Sequence, residues 1–246
     1  MSMPSTTKAG AGMDQTVQNR WKKAAAEAAA RLVESGMIVG LGSGSTAAYF
    51  VSALGQRIAE EHLRIVGIAT SENTASQARS LKIPLSSFAE HTRIDLTIDG
   101  ADEVEQENLY LIKGHGGALL HEKIVAAASK RMVIVADETK IVERLGGRVP
   151  VEVVQFGWEV TALRLTTLGA NAVRRTAADG KPYLTDSGNY IMDCDFGPIE
   201  DPKELAHHLD HVVGAVEHGL FLGFTREVYV GGSEGVRVLT RPEVRK

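Results

Sequence analysis

The regular alternation of short apolar runs with helical segments constrains this chain more than any other feature of its sequence. From Asp14 to Glu34 the chain is alanine-rich (KKAAAEAAARLVE) and reads as a helix; Gly36 stops it, and MIVGLG follows as a short buried strand. The pattern then repeats. TAAYFVSALGQRIAEE is helical, RIVGIAT a strand, SENTASQARSL a helix with a serine cap, IDLTIDGAD a strand entering a turn, GALLHEKIVAAASK a helix and RMVIVAD a strand. Strands separated by whole helices pair in parallel, and a parallel sheet has to be covered on both faces. The expected fold class is therefore α/β, a Rossmann-like, mostly parallel sheet with helices on both faces. Ligands in such sheets bind beyond the carboxyl ends of the strands.

Beyond Gly146 and Gly147 the texture changes. VPVEVVQF, WEVTALRLTTLGA, NAVRRTA, YLTDSGNYIMDCDF and DPKELAHHLDHVV read as strand, helix, strand, strand and helix, with a turn at Asp179–Gly180; this describes a smaller α+β (ferredoxin-like) domain. EVYVGGSEGVRVLT offers two more strands around a glycine-rich turn for the main sheet. The expected division is a flexible tail over 1–15, a main α/β catalytic domain over 16–146 and 223–246, and a small domain over 147–222. A chain of 246 residues is long enough for two such units. Its net charge of −4 gives no basic surface for nucleic acid, and no apolar run approaches the roughly 20 residues of a membrane span. The stretch MSMPSTTKAGAGM is small and polar, unlike a signal peptide, so the cytoplasm is the expected location. The single cysteine, Cys194, lies in an apolar strand pattern without a neighbouring base and is expected to be a packed thiol.

Residues with chemical potential gather at strand ends. In GLGSGSTAAYF the backbone N–H groups from Ser43 through Gly44 and Ser45 to Thr46 open a helix, and with the Ser45 and Thr46 hydroxyls they form a place for a phosphate. The loop is no dinucleotide fingerprint, because Ala47 stands where the third glycine counted from Gly42 belongs, and it lacks the Gly-Lys-Ser/Thr ending of a P-loop. In IDGAD, Asp99 and Asp102 straddle Gly100 and Ala101 where the chain must turn; aspartates also build turns, so their company decides their meaning. That company is LIKGHGGALLHEKIV. Lys113 ends an apolar run, and Gly114, Gly116 and Gly117 let the backbone approach a ligand. Glu122 has Ala118, Val125 and Ala126 as helical neighbours, so its carboxylate is poorly solvated and a stronger base. The competing arrangement pairs Glu122 with Lys123 or Lys130 on a wet face. ADETK places Lys140 at a further strand end. His207, His208 and His211 have metal-ligand spacing but no evident third ligand, and read as a polar helix face.

VGLGSGSTAAYF, TIDGADEV, LIKGHGGALLHEKIVA and VIVADETK, in this order, resemble the ribose-5-phosphate isomerase A family; SGNYIMDCDF and GLF at 219–221 extend the likeness to about residues 20–239. The resemblance implies interconversion of D-ribose 5-phosphate and D-ribulose 5-phosphate, in the non-oxidative branch of the pentose phosphate pathway, without metal or coenzyme. By matching positions, Glu122 would be the general base that carries a proton between C2 and C1 through a cis-enediol. Asp99 and Asp102, with Gly100 and Ala101 between them, would handle the sugar hydroxyls and ring opening. Lys113, with the backbone of Gly114, His115 and Gly116, would stabilise the enediolate oxygen. Ser43, Gly44, Ser45, Thr46 and Lys140, joined by Lys22 from the first helix, would hold the phosphate. The resemblance also implies a homodimer or tetramer acting on a small-molecule pentose 5-phosphate.

The residue chemistry points the same way. Aldose–ketose isomerisation needs a base near the carbon-bound proton, donors at the developing oxyanion and an anchor for the phosphate, and no redox equivalent leaves the substrate. Two positions depart from the family pattern: His115 stands where glycine is usual and Ser43 where threonine is usual. Serine keeps the hydroxyl, and the His115 imidazole is expected to project away from the substrate. The alternative function is a non-catalytic sugar-phosphate-sensing module. It would need the phosphate loop but not Glu122, and residues 1–35 show no helix-turn-helix or basic patch to go with it.

Overall fold

The computed structural model describes residues 15–241, so the tail read for residues 1–15 lies outside the described residues apart from Gln15, which opens α1 (Gln15–Ala30). There follow β1 (Ile38–Leu41), α2 (Gly44–Glu61), β2 (Val66–Ala69), α3 (Glu72–Ser80), β3 (Leu96–Gly100), the short β4 (Glu103–Glu105) and β5 (Leu111–Ile112), α4 (Leu119–Ala127), β6 (Met132–Asp137), a 3-10 turn over Glu138–Lys140, and β7 (Ile141–Val142). The second half comprises β8 (Val149–Val153), α5 (Trp158–Thr167), β9 (Asn171–Arg174), β10 (Tyr190–Asp195), α6 (Pro202–Asp210), β11 (Ala215–His218), β12 (Leu220–Phe221), β13 (Glu227–Gly232) and β14 (Gly235–Thr240).

The main sheet runs β14-β13-β6-β3-β1-β2, parallel throughout except for β14, which returns antiparallel to β13. From β1 the chain goes outward to β2 and then back across to β3, so the order reverses between β1 and β3, the place where open α/β sheets bind ligands. Strand alternation sorts the side chains to the two faces. Leu96 and Ile98 of β3, with Val133 and Val135 of β6, pack under α1, α2 and α3 in a core that includes Ala25, Ala29, Phe50 and Leu54. Each large apolar side chain fully buried there contributes about 1.5–3 kcal/mol. The alternate residues Thr97 and Asp99 are turned to the α4 side, where Thr97 Oγ1 lies 2.6 Å from Ser129 Oγ. Asp99 is thus a core-strand residue aimed at the helix that carries Glu122.

The second face differs from the expected plain helical cover. Besides α4 it carries a small mixed sheet, β12-β5-β4-β7, whose Val104, Leu111 and Phe221 pack on Ile134 and Ala136. Strands this short carry no readable periodicity. One of them, β12, was expected in the small domain that ends at 222; it pairs instead with β5. The small unit has the strand order β11-β8-β10-β9, with α5 and α6 as its crossovers, which is the ferredoxin-like arrangement. Its strand β10 covers only the last part of the expected run, and residues 183–189 form a loop. Cys194 is buried in this unit, its thiol pushed up to about 12 by burial. Among the described residues no helix is long and apolar enough to cross a membrane.

Candidate active site

A cavity of about 100 Å³ opens beyond the carboxyl ends of β1 and β3, where open α/β sheets bind their ligands. Its wall is formed by Lys22, Ser43, Gly44, Ser45, Thr46, Gly100, Ala101, Asp102, Lys113, Gly114, Gly116, Glu122 and Lys140. The residues singled out from four separate segments therefore meet in one place, with Lys22 joining them from α1. Two others, Asp99 and His115, are not on the wall.

One end of the cavity is cationic. Helix α2 begins at Gly44, and its cap residue Ser43 makes no side-chain hydrogen bond to the first turn, so the opening N–H groups face the cavity with the positive end of the helix dipole. Lys22, although 93% of its surface is covered, pairs with no carboxylate among the described residues; its Nζ donates to Ser45 Oγ at 3.2 Å. Lys140 approaches from the 3-10 turn after β6. That turn is fixed by Asp137, which accepts from Thr139 N–H at 3.1 Å and from Gln18 Nε2 at 3.2 Å.

Ser43 itself does not join this donor set as expected. Its N–H donates to Asp99 Oδ1 at 2.9 Å, and its hydroxyl sits among Thr70, Ser71 and Thr74 at 2.6, 2.9 and 3.3 Å. The cause is Asp99, a buried carboxylate that needs donors; Gly100 N–H supplies another at 2.7 Å. Gly42 permits the approach, because a Cβ there would fall 2.2 Å from Asp99 Oδ1.

The other end is a buried charge cluster. Lys113 Nζ donates to Gly100 O at 2.5 Å, lies 3.0 Å from Asp99 Oδ2 and 3.5 Å from Glu122 Oε1; all three side chains are almost fully buried. Glu122 thus pairs with Lys113, and neither of the wet-face partners takes it: Lys123 is bound to Glu217 and Lys130 to Asp95. Its second oxygen, Oε2, has no hydrogen-bond partner. Burial pushes the Glu122 carboxyl up to about 8; Lys113 opposes this, while the Asp99 and Asp102 carboxylates reinforce it. Burial also raises Asp99, against the pull of Lys113. For Lys113 burial disfavours the charge, but Asp99 and Glu122 outweigh it and the ammonium is held more firmly than usual. The cluster therefore combines a fixed cation with a carboxyl able to exchange a proton near neutral pH.

Asp102 stands at the edge of this end, accepting from His115 N–H at 2.9 Å. His115, expected on the wall as part of the lysine–glycine loop, is displaced from it by that bond. Its ring turns outward, with Nδ1 3.4 Å from Asp102 Oδ1 and Nε2 2.9 Å from Arg148 O. Several supporting residues had no signal in the sequence: Gln18, Thr70 and Thr74, which bind Asp137 and Ser43, and Arg175 and Tyr183 of the small unit, which bind carbonyls of the Gly114–Gly116 segment.

The family described as Ribose 5-phosphate isomerase A (phosphoriboisomerase A) matches residues 66–235. The ribose-5-phosphate isomerase A of a Synechococcus strain is 56% identical over 220 residues, which cover 89% of this chain and 96% of the relative. A ribose 5-phosphate isomerase A structure from Methanocaldococcus jannaschii has a TM-score of 0.87 at 40% identity, over 91% of this chain and 100% of that one. A D-ribose-5-phosphate isomerase solved in complex with phospho-erythronic acid has the same TM-score at 38% identity, covering 90% of this chain and 98% of its own. By sequence and by fold alike, the chain belongs to the ribose-5-phosphate isomerase A family.

Proposed function

We propose that the cavity interconverts D-ribose 5-phosphate and D-ribulose 5-phosphate through a cis-enediol(ate), with Glu122 as general base. Family membership makes the chain an aldose–ketose isomerase; its relatives, matched over nearly their whole length, are named as such, and a sensor module has no support among them. The observation that carries the mechanism is that one cavity is lined both by a cationic group, Lys22, Lys140 and the opening of α2, and by a buried carboxyl paired with a buried ammonium. The phosphate goes to the opening of α2 between Lys22 and Lys140. The carbonyl end then meets Glu122, which takes the proton from C2 and returns it to C1. Lys113 faces the oxygen that becomes negative, and Asp102 serves the sugar hydroxyls and ring opening. Asp99 works from beneath the cavity floor by fixing Lys113 and the Ser43 amide. A substrate of this kind is in keeping with the phosphorylated sugar acid held by a structural relative.

The deciding measurement is conversion of ribose 5-phosphate by wild type and by Glu122→Gln, both in EDTA and both checked for fold. The variant is expected to lose at least about 10²-fold in kcat, the cost of removing a general base. A variant of near wild-type activity sinks the assignment.

We also propose that the protein is a homo-oligomer, a dimer or tetramer. The support is an apolar groove on the small unit, where Phe156 is 95%, Val213 89% and Val160 62% exposed.

A further inference from the structure

The small unit touches the site at the glycine loop after Lys113. Arg175, directly after β9, pairs with Asp193 of β10: Nε donates to Oδ2 at 2.9 Å and Nη2 to Oδ1. Both side chains are about 85% covered, so the pair is shielded from water. The remaining nitrogen, Nη1, donates to the carbonyls of Gly114 at 3.2 Å and His115 at 3.0 Å. Tyr183, its ring 5.7 Å from the Arg175 guanidinium, donates its hydroxyl to Gly116 O at 3.4 Å. It also packs on Gly117, which has φ +87° and where a Cβ would fall 2.2 Å from the hydroxyl. Three consecutive carbonyls are thus held from outside the cavity.

A trans peptide sets its C=O and N–H on opposite sides, so holding the carbonyls orients the amides. The N–H of His115 goes to Asp102, and that of Gly117 returns to Gly114 O at 2.9 Å. The N–H of Gly116 belongs to the peptide whose carbonyl Arg175 holds. It therefore points away from Arg175, has no acceptor among the described residues, and belongs to a residue on the cavity wall.

We propose that Arg175 is a positioning residue for the isomerisation: clamped by Asp193, it orients the peptides of residues 114–116 so that the Gly116 N–H, on the same cavity wall as Lys113, meets the enediolate oxygen. This rests on the assignment of the Lys113–Gly116 segment to the oxyanion pocket. A guanidinium suits the task because its planar fork serves a carboxylate on two edges while a further N–H reaches the carbonyls; an ammonium has no such fork.

The test compares wild type with Arg175→Lys, Arg175→Ala and Lys113→Met, each checked by thermal melting. The readouts are kcat and KM for ribose 5-phosphate, affinity for phospho-erythronic acid, and inhibition by inorganic phosphate. The planar carboxylate of phospho-erythronic acid carries the charge of an enediolate, whereas inorganic phosphate reads the other end of the cavity alone. Both arginine variants are expected to lose at least about tenfold in kcat, less than the roughly 10²–10³ of deleting an oxyanion donor outright. Affinity for phospho-erythronic acid should fall by a similar factor, with KM and phosphate inhibition within about threefold of wild type. Folded arginine variants with kcat and phospho-erythronic acid affinity near wild type overturn the proposal, as does a loss shared equally by phosphate inhibition. Lys113→Met separates the two ideas. If it weakens phospho-erythronic acid and the arginine variants do not, only the positioning role falls; if it too has no effect, the oxyanion assignment falls with it. Should the arginine variants not fold, Asp193→Asn keeps the arginine and removes the charge that aims it. A loss confined to kcat and phospho-erythronic acid affinity then supports the proposal, and unchanged values overturn it.

Discussion

At the scale of single residues, the proposed general-base role of Glu122 depends on the burial that denies it water. A solvated glutamate is ionised at neutral pH and is a weak base; the buried Glu122 carboxyl, raised to about 8, is the stronger base once deprotonated but must first lose its proton. The sign of the pH dependence follows. In the free enzyme the active carboxylate fraction grows as pH rises, so kcat/KM is expected to climb between pH 6 and about 8 and to level off above. Because the Asp99 and Glu122 carboxyls both pair with Lys113 and feel each other's charge, the midpoint belongs to the carboxyl pair and not to one group. A profile flat from pH 6 to 8.5 contradicts a base of this kind. How much of this was legible differs residue by residue. The alanines and valine around Glu122 announced its poor solvation in the sequence itself. The capture of the Ser43 amide by Asp99 was not visible, because it depends on two strand ends, 56 positions apart, being placed side by side.

At the scale of elements, the phosphate end is assembled from pieces that touch nowhere in sequence: α1 brings Lys22, the opening of α2 its amides, and the turn after β6 Lys140. In the proposed mechanism their common target is a phosphate remote from the reacting carbons, so their contribution would be binding energy that anchors the substrate in register. Lys140→Ala is therefore expected to lower kcat/KM for ribose 5-phosphate by about tenfold or more, the order of one charge-assisted hydrogen bond of 1.5–3 kcal/mol. Turnover of unphosphorylated ribose, however slow, should not change. An equal loss on both sugars would show that Lys140 serves the chemistry or the fold instead of the phosphate. Elements of this kind were readable because helices and parallel strands repeat with periods that apolar residues must follow. The mixed sheet escaped, since two- and three-residue strands such as β5 and β4 contain at most one and a half periods of the two-residue alternation, too little to read as a pattern. The loop at 183–189 reads as strand because its Tyr, Leu and Thr have strand composition. Its course is set instead by Glu152, buried within β8, which accepts from Thr185 and Asn189 at 2.9 Å each.

At the scale of the whole molecule, the surface of the small unit is the feature that the single chain does not account for. Val154 and Phe156 between β8 and α5, Val160 in the first turn of α5 and Val213 after α6 line one groove, and Phe156 is almost wholly exposed. The sequence could not announce this, because an apolar residue looks the same whether it meets its own core or another chain, and three of the four lie in connecting segments with no periodicity to follow. A cluster of large apolar side chains left in water costs free energy that association would recover, at about 25 cal/mol per Å² of apolar surface covered. If this face joins copies of the chain, a charge placed at its most exposed member has to be buried against apolar partners on association, which is strongly disfavoured. Phe156→Glu is accordingly expected to shift the species seen by light scattering after size exclusion from oligomer toward monomer. The cavity lies on the main sheet and its wall includes no residue of the groove, so the folded monomer should still bind inorganic phosphate. A variant that keeps the wild-type mass at micromolar concentration places the interface elsewhere, and a wild type that is monomeric under the same conditions removes the oligomer altogether.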